Sequence, residues 1–227
     1  MKGQFVSKPW PHYVTENCLD LNSFNLLKLS LESIFTSIDD GNHVFDLHDL
    51  SKMGLEKNAL DIIVEHSDYI IKSNLFKNFS EYRSSKYGYF VIPKIGVSKN
   101  KRYGIHDDTG GNYKSLSYLV YISPLSSTGT ILCEGDKEHS ILSWEPNKGI
   151  YFCPVENVTY HDFLSNNEIR ITLNINISAL EMLYDNNHLE DMVKSDKEKV
   201  LYCYNLFKQN KLYVTNTNFI EFIEKHL

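Results

Sequence analysis

The sequence has no long apolar run and no excess of basic residues. Nowhere do about 18 apolar residues follow one another, the length that a membrane-spanning helix needs. The first residues, MKGQFVSKPWPHYV, include no apolar stretch of the kind found in signal peptides. There are 23 Lys and Arg against 29 Asp and Glu, a net charge of −6. Proteins that hold nucleic-acid phosphates are usually basic, so we expect neither a membrane nor a nucleic acid as partner.

Cysteines are few and scattered. The four lie at positions 18, 133, 153 and 203, and no two form a C-x-x-C pair. This spacing suits neither a disulfide framework nor a structural zinc site. We therefore expect reduced thiols and a cytoplasmic location.

The chain does contain enough apolar side chain for a packed core. Of its 227 residues, 42% are hydrophobic and 13% aromatic, which argues against disorder. No internal repeat, low-complexity tract or long linker interrupts the sequence. A single domain spanning residues 1–227 is the expectation.

Three regions differ in their periodicity. After a short extended start at 10–14, residues 1–85 are expected to be mainly helical, with helical spacing in LNSFNLLKLSLESIFTS and again over 55–79. Asp20 or Asn22 is the expected N-cap of the first helix. Residues 86–178 predict short strands between turns such as DDTGGN, PLSSTG and EPNKG. Residues 179–227 become helical or mixed again, ending in the amphipathic FIEFIEKHL. The close strand spacing indicates a sandwich or small barrel, so helices should pack on a β core.

The segment 169–177 alternates strictly between apolar and polar residues. Its odd positions are Ile or Leu, and its even positions are Arg170, Thr172, Asn174 and Asn176. Such a period predicts a strand with two unlike faces. The polar face lies either in water or in a binding cavity.

Two H-x-D triplets occur, and their predicted secondary structure separates them. His106 and Asp108 lie in KRYGIHDD, a predicted strand, where residues two apart point to the same face. His66 and Asp68 lie in a predicted helix, where residues two apart face away from each other. We therefore interpret the second triplet as a solvated helix face.

A third ligand is available at His161, 55 residues after His106. Two histidines and one carboxylate form the facial ligand set of non-haem iron(II) enzymes. On the next predicted strand, Arg170 and Thr172 offer a guanidinium and a hydroxyl that could hold the carboxylate of a co-substrate.

The order H-x-D, then H, then R-x-S/T resembles the iron(II)- and 2-oxoglutarate-dependent oxygenases, in particular their small prolyl-hydroxylase-like members. The resemblance covers residues 86–178. It implies a mainly β fold with flanking helices, a distorted double-stranded β-helix (a jelly roll, cupin-like). Residues 1–85 would supply supporting helices and 179–227 a C-terminal helical extension.

The resemblance also implies an activity and a site. Iron(II) would be held by the catalytic residues His106, Asp108 and His161. Molecular oxygen would convert 2-oxoglutarate to succinate while an unactivated C–H bond is hydroxylated, with ascorbate as reductant in vitro. For 2-oxoglutarate, the expected residues are Arg170 and Thr172 with one tyrosine, which is Tyr103, Tyr118 or Tyr121. For the substrate, the expected residues are Arg102 and Asn174.

The sequence departs from parts of the family. HDD offers Asp107 as well as Asp108, and only strand parity selects Asp108. Nucleic-acid dealkylases of the family carry a second arginine where Asn176 stands here, which argues against such a substrate. Halogenating members lack the metal carboxylate, which Asp108 provides here. We accordingly interpret the polar face of 170–176 as lining the jelly-roll cavity, with the isoleucines packed against helices.

The substrate is less determined. A small amino-acid-like metabolite is the expectation, and a peptidyl, prolyl-type side chain is the alternative. Two other classes stay open: a cupin-like metal-dependent enzyme that does not use 2-oxoglutarate, and a non-catalytic jelly-roll binding protein. The oligomeric state is left open as well.

Overall fold

Two antiparallel sheets enclose a cavity, and helices cover the outer side of the larger sheet. The computed structural model describes residues 3–109, 114–181, 191, 194, 197–209, 213–215, 221 and 224–225. The helices are α1 (Leu21–Ile34), α2 (Leu47–Lys52), α3 (Lys57–Lys72), a 3-10 turn (Leu75–Asn78) and α4 (Lys197–Lys208). The strands are β1 (Gly3–Val6), β2 (His12–Thr15), β3 (Gly41–Asp46), β4 (Gly88–Lys99), β5 (Lys114–Ser123), β6 (Thr128–Glu134), β7 (Lys137–Ser143), β8 (Gly149–Phe152), β9 (His161–Asp162), β10 (Arg170–Ala179) and β11 (Tyr213–Thr215).

The larger sheet has the order β1-β2-β8-β5-β10-β4-β11, with β3 also paired to β4. The smaller sheet has the order β7-β6-β9. Strands β5 to β10 are therefore divided between two facing sheets, as in a jelly roll. The predicted fold class, a mainly β jelly roll with flanking helices, is confirmed.

The hydrophobic core lies between the larger sheet and the helices. On β10 the apolar side chains Leu173, Ile175 and Ile177 are fully buried in this core. They join residues of the helices that are equally buried, including Leu27, Leu31, Ile63, Ile70 and Ile71. The apolar face of β10 therefore packs on the helical side of the sheet, as its alternation indicates.

Helix starts follow from short polar side chains. Asp20 is the N-cap of α1, where its carboxylate accepts hydrogen bonds from the backbone N–H groups of Asn22 and Ser23. Asp46 and Asp49 form a capping box at the start of α2. Of the two expected caps of α1, Asp20 is the one used.

Two local expectations differ from the structure. The region 1–85 also contains β3, which the helical interpretation missed because this strand is only half-buried and has little apolar alternation. The predicted strand KRYGIHDD is wrong. That segment makes isolated bridges at Arg102 and His106, and positive φ values at Gly104 and Asp108 break its extended conformation.

The C-terminal expectation is only partly within the described residues. There, α4 is followed by β11, which pairs with β4. Residues 110–112 of the turn DDTGGN and most of the terminal amphipathic segment lie outside the described residues. Within the described part of the chain, each helix is too short or too polar to span a bilayer.

Two leucines of α1 test the position of the core. Leu31 is fully buried, whereas Leu29 on the same helix is 65% exposed. Leu31→Ala should lower the free energy of unfolding by about 2–5 kcal/mol, because it removes buried contacts and leaves a cavity. Leu29→Ala should change it by less than about 0.5 kcal/mol. Urea denaturation followed by circular dichroism measures both, and equal effects would contradict the packing of α1 on the sheet.

Candidate metal centre

A backbone hydrogen-bonded pair brings His106 and His161 together. The His106 N–H donates to the His161 carbonyl at 3.0 Å, and the His161 N–H donates to the His106 carbonyl at 2.8 Å. The two imidazole centroids consequently lie 4.2 Å apart. Residues 55 positions apart in sequence are thus held side by side by an antiparallel bridge between the His106 segment and β9.

Both histidine rings are oriented by backbone carbonyls. Nδ1 of His106 lies 2.9 Å from the Gly104 carbonyl, and Nδ1 of His161 lies 3.0 Å from the Thr159 carbonyl. A carbonyl can only accept, so each Nδ1 carries the proton and each Nε2 keeps a free lone pair. Both Nε2 atoms point toward Asp108, at 3.8 and 3.9 Å from its carboxylate oxygens.

Asp108 completes the cluster through a left-handed backbone conformation, with φ of 63°. Its Oδ2 accepts a hydrogen bond from the Ser117 hydroxyl at 2.7 Å, and Lys114 Nζ lies 3.2 Å from its Oδ1. Burial alone would raise the pKa of Asp108. The charges of Lys114 and His161, the Ser117 hydrogen bond and His106 outweigh burial and hold the pKa well below its usual range. The carboxylate is therefore ionised at neutral pH.

The three side chains suit a divalent transition metal. Their ligand atoms all lie within 4.8 Å of one another. Burial lowers the pKa of His161, which favours the neutral imidazole that binds metals, although Asp108 partly opposes this shift. Two imidazole nitrogens and one carboxylate oxygen are a donor set that fits iron(II).

The polar face of β10 lines a cavity of about 230 Å³ that also contains this cluster. Cross-strand register sets its floor in rows: Asn42, Ser98 and Arg170 form one row, and Val44, Gly96 and Thr172 the next. A Cβ at Gly96 would lie 2.9 Å from Thr172 Oγ1 and 3.0 Å from Asn174 Nδ2. Glycine at this position therefore leaves room for both polar side chains.

Arg170 is the most unusual member of the floor. It is 2% exposed, and its Nε and Nη2 make no hydrogen bond. Its guanidinium carbon lies 4.4, 4.9 and 6.0 Å from the ring centroids of Phe163, Trp144 and Tyr121. Burial lowers the pKa of Arg170 to about 10, but the group remains charged at neutral pH. We call these three rings the aromatic sleeve of Arg170. They surround a buried cation whose polar donors have no anionic partner among the described residues.

Other unsatisfied polar atoms collect in the same cavity. Besides Arg170, buried side-chain atoms without a hydrogen-bond partner among the described residues include Asn42 Oδ1, Ser98 Oγ and Asn174 Oδ1, all of cavity-lining residues. Buried polar groups normally find partners, because leaving them unpaired costs about 1–3 kcal/mol each. Their concentration at one place is typical of a binding site for a polar ligand.

The three expected tyrosines have different surroundings. Tyr121 is buried, stacks on Trp144 at 4.4 Å and shares a 2.8 Å hydrogen bond with Thr130, so it supports the sleeve around Arg170. Tyr103 lies at the cavity rim, half-exposed, 4.5 Å from the His106 ring. Tyr118 borders the cavity as well. Its ring lies beside Cys18 and His66 on the helical side of β5, because Tyr118 pairs with the core residue Ile175. Its expected contact with 2-oxoglutarate stays a prediction.

Arg102 makes two ion pairs within the protein. It pairs with the buried Asp162 and with Glu138. Asp162 also accepts hydrogen bonds from the backbone N–H groups of Gly104 and Phe163, so this group anchors the loop that carries His106. Arg102 therefore has a structural role, and its expected contact with the substrate stays a prediction. Asn174 does line the cavity.

Neither alternative carboxylate joins the cluster. Asp107 bonds to the Thr109 hydroxyl and to the Asn157 backbone. On α3, Asp68 pairs with Lys72, while His66 is largely buried against Tyr118. Burial lowers the pKa of His66 to about 4. The interpretation of the second triplet as a solvated helix face is thus wrong for His66. The side chains of His66 and Asp68 do diverge, as expected on a helix.

Several residues of the site were not found from the sequence. Lys114, Ser117, Trp144 and Phe163 have no motif of their own, and Ser98 and Asn42 reach the site only through pairing of β4 with β10 and β3. The one available signal was at Ser117, because strand alternation places it on the same face as Tyr121.

The fold is similar to that of a prolyl hydroxylase from Trichoplax adhaerens, solved in complex with a hypoxia inducible factor oxygen degradation domain peptide fragment. The TM-score is 0.55 over 75% of this chain and 84% of that chain, at 12% sequence identity. No family model and no curated protein sequence matches this chain. The likeness shows the shared jelly-roll fold.

Iron(II) affinity tests which side chains hold the metal. His106→Ala and Asp108→Ala should abolish tight iron(II) binding, because each removes one of three converging ligands. His66→Ala and Asp68→Ala should leave it unchanged. Isothermal titration under anaerobic conditions measures the affinities.

The neighbouring aspartate supplies a stricter control. Asp107→Asn should bind iron(II) like the native protein, whereas Asp108→Asn should bind it at least about tenfold more weakly, because it removes the charged ligand. Anomalous diffraction at the iron edge with metal beside His66, or equal losses in both asparagine variants, would contradict the assignment.

Proposed function

We propose that the protein is an iron(II)- and 2-oxoglutarate-dependent dioxygenase that hydroxylates an unactivated C–H bond. The observation that carries this proposal is the buried, unpartnered guanidinium of Arg170 in the cavity of the His106, Asp108 and His161 cluster. A metal cluster alone would fit many enzymes. A desolvated cation beside it calls for an anionic co-substrate as well.

Three side chains would hold the metal. His106, Asp108 and His161 would bind iron(II) through two Nε2 atoms and one carboxylate oxygen. The carbonyls of Gly104 and Thr159 keep both rings in the required tautomer. When bound, iron(II) and 2-oxoglutarate supply the oxidising chemistry: oxygen converts 2-oxoglutarate to succinate and carbon dioxide, and the substrate is hydroxylated.

The co-substrate would be held at the other end of the cavity. Arg170 pairs with the far carboxylate of 2-oxoglutarate, and Thr172 supplies a hydroxyl two residues along the same strand face. Phe163, Trp144 and Tyr121 exclude water from the guanidinium, which strengthens this ion pair. Tyr103 at the rim, beside His106, remains a proposed contact to bound ligands.

The substrate is proposed to be a small amino-acid-like metabolite, and Asn174 offers its unpaired amide oxygen as one polar contact. A peptidyl, prolyl-type side chain is the second candidate, which the peptide complex of the structural neighbour favours.

Three buried, unpaired cysteines, Cys18, Cys133 and Cys153, support the expected reducing environment of the cytoplasm.

Two other functions remain distinguishable from this one. A cupin-like metal enzyme or a non-catalytic jelly-roll binder has no need for a buried arginine aimed at a second ligand. Succinate release from 2-oxoglutarate under iron(II), ascorbate and oxygen separates them from the proposed dioxygenase.

Arg170 provides the decisive test. Arg170→Met should weaken 2-oxoglutarate binding by about 2–5 kcal/mol, because it removes one partner of a buried ion pair. This corresponds to roughly 30- to 3,000-fold in affinity. Arg170→Lys should rescue only partly, since an ammonium lacks the two-pronged geometry. Iron(II) affinity should not change, because Arg170 is not a ligand.

The measurement is an anaerobic titration of 2-oxoglutarate into the iron(II) forms, following the metal-to-ligand charge-transfer band. Arg83→Met is the matched control, since Arg83 is exposed and does not line the cavity. Native-like 2-oxoglutarate affinity in Arg170→Met would overturn the co-substrate assignment.

A further inference from the structure

A buried serine hydroxyl shares the end of the cavity that holds Arg170. Ser98 is 2% exposed and lines the cavity, and its Oγ has no hydrogen-bond partner among the described residues. A buried hydroxyl normally finds a partner, because leaving it unpaired costs free energy. Ser98 belongs to no motif of the sequence, and the proposed function described so far gives it no role.

The register of the larger sheet places Ser98 beside Arg170. The two residues are direct partners on β4 and β10, so their Cβ atoms lie about 4.5–5.5 Å apart on the cavity face. Asn42, which also has an unpaired buried oxygen, is one strand farther away, roughly 10 Å from Arg170 across the sheet. Asn174 lies four residues along β10 from Arg170. Of these cavity residues with unpaired atoms, Ser98 is therefore the direct neighbour of Arg170.

The unpaired nitrogens of Arg170 indicate how an anion would bind. These atoms, Nε and Nη2, lie on the same edge of the planar guanidinium. Two N–H groups on one edge can donate side by side to the two oxygens of a carboxylate. Each carboxylate oxygen accepts two hydrogen bonds, so a carboxylate bound at this edge keeps one acceptor site on each oxygen.

The Ser98 hydroxyl is suited to one of those acceptor sites. Its proton has no acceptor among the described residues, whereas the Thr172 hydroxyl has the Gly96 carbonyl at 3.4 Å. A hydroxyl also adds a hydrogen bond without adding charge, so Arg170 alone balances the anion. Ser98 can thus contribute a hydrogen bond in addition to any that Thr172 makes.

We propose that Ser98 is a specificity-determining residue, whose hydroxyl donates to the far carboxylate of 2-oxoglutarate while Arg170 pairs with the same group. This inference rests on the proposed dioxygenase function and deepens it with a residue outside the H-x-D, H and R-x-S/T order. A ligand without that carboxylate leaves both the hydroxyl and the guanidinium unpaired. Together, Ser98 and Arg170 select dicarboxylic over monocarboxylic 2-oxo acids.

Two 2-oxo acids separate this role from a purely structural one. The chain of 2-oxopentanoate has the length of 2-oxoglutarate but ends in a methyl group instead of the far carboxylate. Each acid is titrated anaerobically into the iron(II) forms, following the metal-to-ligand charge-transfer band. Ser98→Ala should weaken 2-oxoglutarate binding about tenfold or more, as expected for the loss of a hydrogen bond to a charged group. The affinity for 2-oxopentanoate should not change.

Ser98→Thr tests the hydroxyl itself. It keeps this group and suits a strand, so it should retain most of the 2-oxoglutarate affinity. Ser67→Ala is the matched control, because Ser67 is fully buried but lies on α3, outside the cavity. It should bind both acids like the native protein. Iron(II) affinity should be native in every variant, since neither serine is a ligand.

Three results would each overturn the inference: equal losses for both acids in Ser98→Ala, native-like 2-oxoglutarate affinity in Ser98→Ala, or a loss in Ser98→Thr as large as in Ser98→Ala. Failure of the proposed function has a different signature, since the native protein itself would then give no band with 2-oxoglutarate, which overturns both proposals. If the band forms in the native protein and 2-oxoglutarate binding weakens in Arg170→Met but not in Ser98→Ala, only the role of Ser98 falls.

Discussion

The site depends on one constraint of β10: this strand is hydrogen-bonded along both edges, to β4 and to β5. Its side chains therefore have only two directions available. The apolar set enters the helical core, and the polar set enters the cavity. A slip of one residue would exchange the two sets and bury the guanidinium of Arg170 among helices. The hydrophobic core and the proposed co-substrate site thus enforce the same register.

A second constraint couples the two sheets. His106 pairs through its backbone with His161 on β9 of the smaller sheet, whereas Asp108 accepts a hydrogen bond from Ser117 on the larger one. The cluster of ligand atoms consequently exists only when the two sheets close on each other. The backbone carbonyls of Gly104 and Thr159, which accept hydrogen bonds from the two rings, determine which nitrogen of each ring faces the site. Much of the metal geometry is therefore supplied by backbone hydrogen bonds.

The electrostatics of the cavity favour ligands over the empty state. A buried arginine without an anion is costly, and the aromatic rings around Arg170 compensate only in part. Asn42, Ser98 and Asn174 add polar atoms that also lack partners among the described residues. Interactions with ligands can recover this cost. Such a site exchanges some stability of the free protein for affinity, which is a common arrangement in binding sites.

Much of this protein follows from its sequence by itself. The alternation over 169–177 determined a two-faced strand, because a period of two matches the geometry of β-structure. Helical spacing located α1 and α3, and the order of His106, Asp108, His161 and Arg170 singled out residues that the fold brings to one cavity. These signals are local, or they are ordered along the chain, so a sequence displays them directly.

Only the tertiary structure decided the rest. Strand parity selected Asp108 for a strand that does not exist there. The position of Asp108 comes from its left-handed backbone conformation and from the hydrogen bond of Ser117. The register of β5 with β10 directs the ring of Tyr118 toward the core, and Arg102 forms an ion pair with the buried Asp162. Lys114 and the aromatic sleeve of Arg170 carry no motif at all. Each of these outcomes depends on contacts between distant residues, and a pattern along one chain does not specify which distant side chains meet.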